Sequence, residues 1–399
     1  MHSPAGTAAT QRVPLRPAAS RALSMPRSAI REIMALAAGQ PDIIHLEVGE
    51  PDFTTPDFII EKAFAKVRAG ATRYTPNAGT TSLRASIARH VTANSGQEIA
   101  AEQIVVTTGA IGALFSAAFA VLDPGDEILI PDPGWPNYQS IAHLAGATAT
   151  TYNQPAARGF LPDAGEIEAL ISPRTKAILI NSPGNPTGAV FPQQLMAAIA
   201  GLADRYGLYL ISDEVYEDFV FEGIHVSALD AGSPDRTIIV SGVSKSYAMT
   251  GWRVGYLIAA PEIAKLAAAL QEPVTSCPPA PSQAAAEAAL AGGRADVVRF
   301  RDAYRRRRDI LVEVFTGHDA VPVVPQGAFY GFLDIAQCGE KSLPFARRLL
   351  QEQRVAAVPG ITFGPASDGF IRVAFTIEDA HLRDGLQRIR RALAAGASS

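Results

Sequence analysis

Four short apolar runs in this 399-residue chain are each followed at once by residues able to do chemistry. Ala177–Ile180 leads into Asn181-Ser182-Pro183-Gly184-Asn185-Pro186-Thr187-Gly188, and Leu208–Ile211 into Ser212-Asp213-Glu214-Val215-Tyr216. Ile238–Val240 leads into Ser241-Gly242-Val243-Ser244-Lys245-Ser246. A fourth run, ending at Val106, gives Thr107-Thr108-Gly109-Ala110 and opens a helical stretch. Arg253 lies eight residues after Lys245, where the next apolar run starts. Ligands of open parallel sheets bind at the carboxyl ends of the strands. One rim would therefore carry an amide, a carboxylate with a phenol, a lysine and a bare helix N-terminus.

That set suits one kind of chemistry. A helix N-terminus with small residues is a phosphate cup, because its first N–H groups lack intrahelical acceptors. The Ser244 hydroxyl and Arg253 guanidinium would complete it with charge-assisted hydrogen bonds. A strand-end lysine beside that cup suits a Schiff base with an aldehyde cofactor. The Asp213 carboxylate, facing a pyridine ring, would keep its nitrogen protonated and the ring electron-withdrawing. These are the parts of a pyridoxal 5′-phosphate site. Each part alone has a plainer reading: Lys245 as a surface residue, Asp213 as a cap, Asn185-Pro186-Thr187-Gly188 as a turn, and Arg253 as an ion-pair partner. Their joint order along one sheet is what argues for a site.

The elements that must hold them follow from periodicity. Ile128–Ile130, Ala177–Ile180, Leu208–Ile211, Ile238–Val240 and Val254–Ala259 are apolar at consecutive positions and bounded by turn formers, the pattern of strands buried on both faces. Gly112–Val121, Pro192–Tyr206 and Pro261–Leu270 read as the helices between them. The expected fold class is α/β, a mainly parallel sheet with helices on both faces. Towards the end the pattern changes: a long helix over Arg294–Phe315, strands at Ala328–Asp334, Val355–Val358 and Phe370–Phe375, and a closing amphipathic helix over Ile377–Ala394. The expected division is a large cofactor domain over 49–289 and a small α+β domain made of 1–48 and 290–399. Arg372 sits inside an apolar strand, which is costly unless a carboxylate meets it.

The stretch Ser244-Lys245-Ser246-Tyr247-Ala248-Met249-Thr250-Gly251-Trp252-Arg253-Val254-Gly255-Tyr256, with Asn185-Pro186-Thr187-Gly188 and Asp213-Glu214-Val215-Tyr216, resembles the aspartate aminotransferase-like family of class I and II aminotransferases, fold type I. Gly49-Glu50-Pro51-Asp52-Phe53 and Tyr74-Thr75-Pro76-Asn77-Ala78-Gly79 resemble its substrate-approach segments. The resemblance runs from about Arg21 to the last helix. It implies that Lys245 holds pyridoxal phosphate as an internal aldimine and shuttles the substrate proton. It implies that Asp213 pairs with the ring nitrogen, while Tyr216 and Asn185 bond the ring oxygen. The Ala110 and Ile111 N–H groups, Ser244 and Arg253 would bind phosphate, and Trp135 would stack on the ring. Arg372 would clamp the substrate carboxylate, and Gly49 would admit the backbone close to substrate. Tyr74 would reach the neighbouring subunit's phosphate, making the enzyme a homodimer. One departure is Gly242, where relatives often carry a serine; Thr275 or Ser276 would then supply the missing hydroxyl.

The implied activity is ping-pong transfer of an amino group from an L-amino acid to a 2-oxo acid. A lyase or synthase on the same scaffold, acting by β-elimination of a sulfur amino acid or cyclopropane-ring formation, is the alternative, since the cofactor stabilises the same carbanion. A DNA-binding regulator is disfavoured, because about 20 residues precede the match, too few for a helix-turn-helix domain. Net charge is −4, with 35 basic and 39 acidic residues, a poor balance for nucleic acid or anionic membranes. The run Arg305–Arg308 lies beside Asp302 and Asp309 and reads as a solvated helix face. Two cysteines, Cys277 and Cys338, form no metal or disulfide pattern, and the histidines show no ligand spacing. No metal is expected. No apolar run reaches the ~20 residues a membrane span needs. The first 31 residues hold five arginines and no acid, read as a mobile arm ahead of the fold rather than a transit peptide. A cytoplasmic enzyme is expected.

Overall fold

Parallel strands need helical crossovers, and the chain supplies one after almost every strand of its main sheet. The computed structural model describes residues 16–26 and 29–396. Its strands in chain order are β1 Ile44–His45, β2 Ile104–Thr108, β3 Glu127–Asp132, β4 Thr148–Asn153, β5 Thr175–Asn181, β6 Tyr209–Asp213, β7 Thr237–Gly242, β8 Val254–Ile258, β9 Tyr330–Asp334, β10 Val355–Ala356, β11 Val358–Pro359 and β12 Phe370–Ala374. The main sheet has the order β2-β8-β7-β6-β5-β3-β4. Pairings from β4 to β7 are parallel, and β8 runs against both β7 and β2.

That reversal matters. Because β8 is antiparallel, its first residues return to the rim where β5, β6 and β7 end. Arg253, immediately before β8, so arrives beside Lys245 although the two flank different strands. Strands β5 and β6 end in register, Asn181 opposite Asp213. Ile104, Val106, Ile180, Leu210 and Ile239 feed the core on one face of the sheet, and Val105, Ile130, Leu179, Ile211 and Val240 the core on the other. This alternation is the period of 2 expected of strands covered on both sides.

A second core joins Ile44 and Leu46 to Phe300, Tyr304, Leu333, Val373 and Leu386. Beside it, β11, β12 and β9 form an antiparallel sheet, and β1 pairs with β10. The expected single strand Val355–Val358 is in fact two strands in two sheets, β10 and β11, split at Ala357. The edge strand β4, Thr148–Asn153, is missed by a search for apolar runs because its faces are mostly open to solvent.

The helix Ala295–Val314 also corrects one reading. Arg305 and Arg306 are solvated, but Arg307 and Arg308 are buried. Arg307 makes a two-pronged pair with Asp52 at 2.8 and 2.7 Å and reaches Asp379 at 3.0 Å. Arg308 reaches Asp309 at 2.7 Å and the Pro325 carbonyl at 3.0 Å. Planar guanidinium groups suit such buried forks. The Gly49–Phe53 segment is thus pinned to the second core through Asp52. The expectation of an arm ahead of the fold falls mainly on residues 1–15, 27 and 28, outside the described residues. Within them, Ser20–Leu23 and Ala29–Ala37 are helices. No helix of the described residues is long and apolar enough to cross a membrane.

Candidate active site

The strand ends open on a cavity of about 460 Å³, lined among others by Asn185, Asp213, Tyr216, Ser244, Lys245, Arg253 and Arg372. Ala110, Ile111, Trp135 and Gly49 line it as well. Of the residues expected at the site, Tyr74 lies elsewhere, as do the substitute hydroxyls of Thr275 and Ser276. Tyr74 is 90% exposed and borders a separate cleft with Cys277 and Pro278.

Lys245 Nζ donates to the Gly49 carbonyl at 2.7 Å and stands 5.5 Å from the Phe329 ring centre. Burial disfavours its charged form, the Glu50 carboxylate opposes that, and the Arg372 and Arg253 guanidinium groups add to it; the amine is pushed down to about 8. Gly49 has no room for a side chain, because a Cβ there would strike the Tyr330 hydroxyl.

Asp213 ends β6 and is 3% exposed. Its Oδ2 accepts from the Tyr138 hydroxyl at 2.8 Å and its Oδ1 from the Val215 N–H at 3.3 Å. Burial outweighs these bonds and pushes the carboxyl up to about 6. Behind it, Glu214 accepts from Ser212 Oγ at 2.8 Å and the Ala228 N–H at 2.9 Å, and its Oε2 lies 2.9 Å from His225 Nε2. Despite burial, these partners hold Glu214 below the ordinary carboxylate range. His225 is thus an ion-pair partner of Glu214, with Glu217 close by.

Arg372 is buried, and its register opposite Phe332 puts it diagonal to Tyr330, on the same face of the sheet. Nη1 donates to Asn185 Oδ1 at 3.1 Å and Nη2 to the Glu47 carbonyl at 2.7 Å, while Nε has no partner. The guanidinium stacks 4.4 Å from the Tyr330 ring centre. The Tyr216 hydroxyl is 2.9 Å from that of Tyr330. Trp135 meets Tyr138 edge-on at 5.7 Å, and the next residue back, Gly134, donates to the Phe363 carbonyl at 2.8 Å.

Arg253 donates from Nη1 to the Thr250 carbonyl at 3.0 Å, and its own carbonyl accepts from the Gly109 N–H at 3.1 Å. This stations a guanidinium at the first turn of the helix Gly109–Val121. The departure at Gly242 has a steric cause. Gly242 opposes Gly255, and a Cβ on it would come within 2.9 Å of Gly255 Cα and 3.0 Å of the Val254 carbonyl. A Cβ on Gly255 would in turn strike the Ala110 nitrogen. Thr275 and Ser276 are exposed at the end of the helix Pro261–Thr275 and do not line the cavity of their own subunit. The hydroxyl in the cavity that sequence reasoning missed is Thr250, which donates to Glu50. Tyr138, Tyr330, Asn181 and Glu47 were also missed. Tyr138 left a signal, one helical turn after Trp135, and Asn181 stood first after its apolar run.

A buried lysine amine of lowered proton affinity, a buried acid and an arginine at a helix N-terminus fit pyridoxal 5′-phosphate in donor type. The volume suits a cofactor-sized molecule. The unpartnered Arg372 Nε leaves a cation for a second anion. Fold and site together define a cofactor-dependent enzyme of amino-group chemistry.

The comparisons agree. Residues 41–389 match the family model for aminotransferase class I and II. The aspartate/prephenate aminotransferase of Thermus thermophilus is 39% identical over 88% of this chain and 91% of its own. The aspartate aminotransferase of Thermotoga maritima is 38% identical over 89% of this chain and 92% of its own. The structure of the Thermus thermophilus aspartate aminotransferase with maleate superposes with a TM-score of 0.90 at 37% identity, covering 95% of this chain and all of that one. The chain belongs to the class I and II aminotransferases and is a pyridoxal 5′-phosphate-dependent enzyme that moves amino groups between amino acids and 2-oxo acids. The lyase or synthase alternative is not favoured.

Proposed function

We propose that the transfer takes place in the cavity around Lys245, with each lining residue in the role its geometry supports. The carrying observation is that Lys245, Asp213, Tyr216, Asn185, Ser244, Arg253 and Arg372 converge on one space. Pyridoxal 5′-phosphate, once bound, supplies an aldehyde carbon that exchanges nitrogen and a ring that draws electrons from a broken Cα–H bond.

Lys245 Nζ would hold the cofactor covalently. Once released, the amine would take the proton from Cα, and its lowered proton affinity keeps a neutral fraction available near pH 7. Asp213 would sit against the ring nitrogen; a cation there stabilises the carboxylate against the push of burial. Tyr216 and Asn185 would donate to the ring oxygen. The Ala110 and Ile111 N–H groups, Ser244 and Arg253 would bind phosphate. Trp135 would cover the ring. Arg372 would orient the substrate carboxylate, with Asn185 holding its Nη1 and Gly49 leaving space beside it.

Residues 49–289 would act as the large domain, and 1–48 with 290–399 as the small one, closing over substrate to exclude water. The enzyme would be a cytoplasmic homodimer, with Tyr74 reaching the neighbour's phosphate; its exposure outside its own cavity supports this. Lys245→Ala is expected to lower the transfer rate roughly a thousandfold or more, with the fold intact by circular dichroism. Normal turnover by that variant would end the proposal. Unchanged cofactor affinity in Tyr74→Phe, measured on a dimer, would remove Tyr74 from it.

A further inference from the structure

The cavity holds more than the cofactor set, and what remains says which side chain it accepts. Among the described residues, its lysine and arginines are Lys245, Arg253 and Arg372. Each already has a duty: the covalent anchor, the phosphate and the substrate α-carboxylate. The other charged liners besides Asp213 are carboxylates, Glu47 and Glu50. Glu50 accepts from Thr250, and Glu47 acts on Arg372, whose Nη2 its carbonyl holds at 2.7 Å. Within one subunit, a second substrate carboxylate would enter beside acids, without a described cation to meet it.

The remaining wall mixes the polar Asn137, Asn181, Tyr138 and Thr250 with an apolar stretch that is well supported. In the helix Ala29–Ala37, Ile33 and Ala37 are buried with Ile43, Ala346, Leu350 and Ala356. Ile30 and Met34, one turn apart, line the cavity. Ile111 lines it too, from the first turn of Gly109–Val121. Ile30 packs against the cluster of Phe160, Ala189, Phe332, Val358 and Phe363, in which Val358 pairs with Arg372 in the β11–β12 ladder. Ile30 and the carboxylate clamp therefore sit on one body, while Ile111 faces them from the first turn of Gly109–Val121.

Resting on the site proposed above, we propose that the amino donor carries an uncharged apolar side chain, held against Ile30, Met34 and Ile111. Apolar pockets gain about 10–200-fold per matched methylene. The test is the half-reaction of holoenzyme with L-leucine, L-phenylalanine, L-aspartate or L-arginine, followed by cofactor absorbance. Leucine or phenylalanine is expected to react at least tenfold faster, per unit concentration, than aspartate and arginine. Aspartate or arginine reacting as fast or faster overturns this inference alone. If none of the four discharges the cofactor, the site reading falls with it. Met34 is 42% exposed, so Met34→Lys is a tolerable change of wall. It is expected to shift the leucine-to-aspartate ratio at least tenfold towards aspartate, with the holoenzyme spectrum unchanged. An unmoved ratio removes Met34 from the wall and overturns the proposal as stated.

Discussion

Asp213 and Glu214 are adjacent carboxylates, 3% and 1% exposed, yet they are pushed in opposite directions. Consecutive residues of a strand face opposite sides. Asp213 faces the cavity with a phenol and one N–H, and burial wins. Glu214 faces the interior on the same side as Ser212, with an imidazole, a hydroxyl and an N–H, and its partners win. The lesson is that burial does not set a role; compensation does. An acid whose charge is answered inside the protein holds the fold, and one left half-answered is poised for a cationic ligand.

The contrast can be broken by exchanging what each acid loses. Glu214→Ala strands His225 beside Glu217 and is expected to cost about 3–5 kcal/mol of stability in urea unfolding, with turnover per folded molecule little changed. A loss below about 1 kcal/mol would show that the pair contributes packing alone. Asp213→Asn should do the reverse. Turnover is expected to fall about 10²–10³-fold, while the cofactor-free protein gains about 2–3 kcal/mol at pH 8.

The sign comes from the raised pKa. The neutral Asp213 favours folding below its ordinary 3.8, and that contribution is lost as pH rises through about 6. The asparagine variant should therefore match the parent near pH 3.5 and pull ahead through pH 6. The lowered pKa of Glu214 works oppositely, giving stability above its ordinary 4.5 that fades as pH falls. The raised pKa of His225 gives stability below 6.5 that fades as pH rises past its folded value. Melting curves from pH 3 to 9 separate these three. The smallest effect is expected for Tyr138→Phe. It removes the bond that restrains Asp213, so the carboxyl rises further and cofactor binding weakens about tenfold by spectral titration. Unchanged affinity would place the restraint elsewhere.

The cofactor side was legible because its residues cluster at strand ends within short motifs. Lys245, Asp213, Asn185 and Arg253 each follow or precede an apolar run, and local pattern suffices to find them. The rim position of Arg253 was legible; the antiparallel course of β8 that causes it was not. The substrate side is assembled from distant segments. Glu47 meets Arg372 only through packing, and Tyr330 reaches Tyr216 across 114 positions. Burial of Arg307 and Arg308 was misread for the same reason, since Asp52 lies 255 residues from Arg307. Periodicity sees one element at a time, and these contacts belong to pairs.

The Gly242–Gly255 rung carries a consequence for substitution. Serine at position 242 would force its opposite number to give way by some tenths of an ångström. A serine at 242 would have to displace Gly255 or the Val254 carbonyl, and Gly255 is itself pressed against Ala110, so the change would propagate into the helix that opens at Gly109.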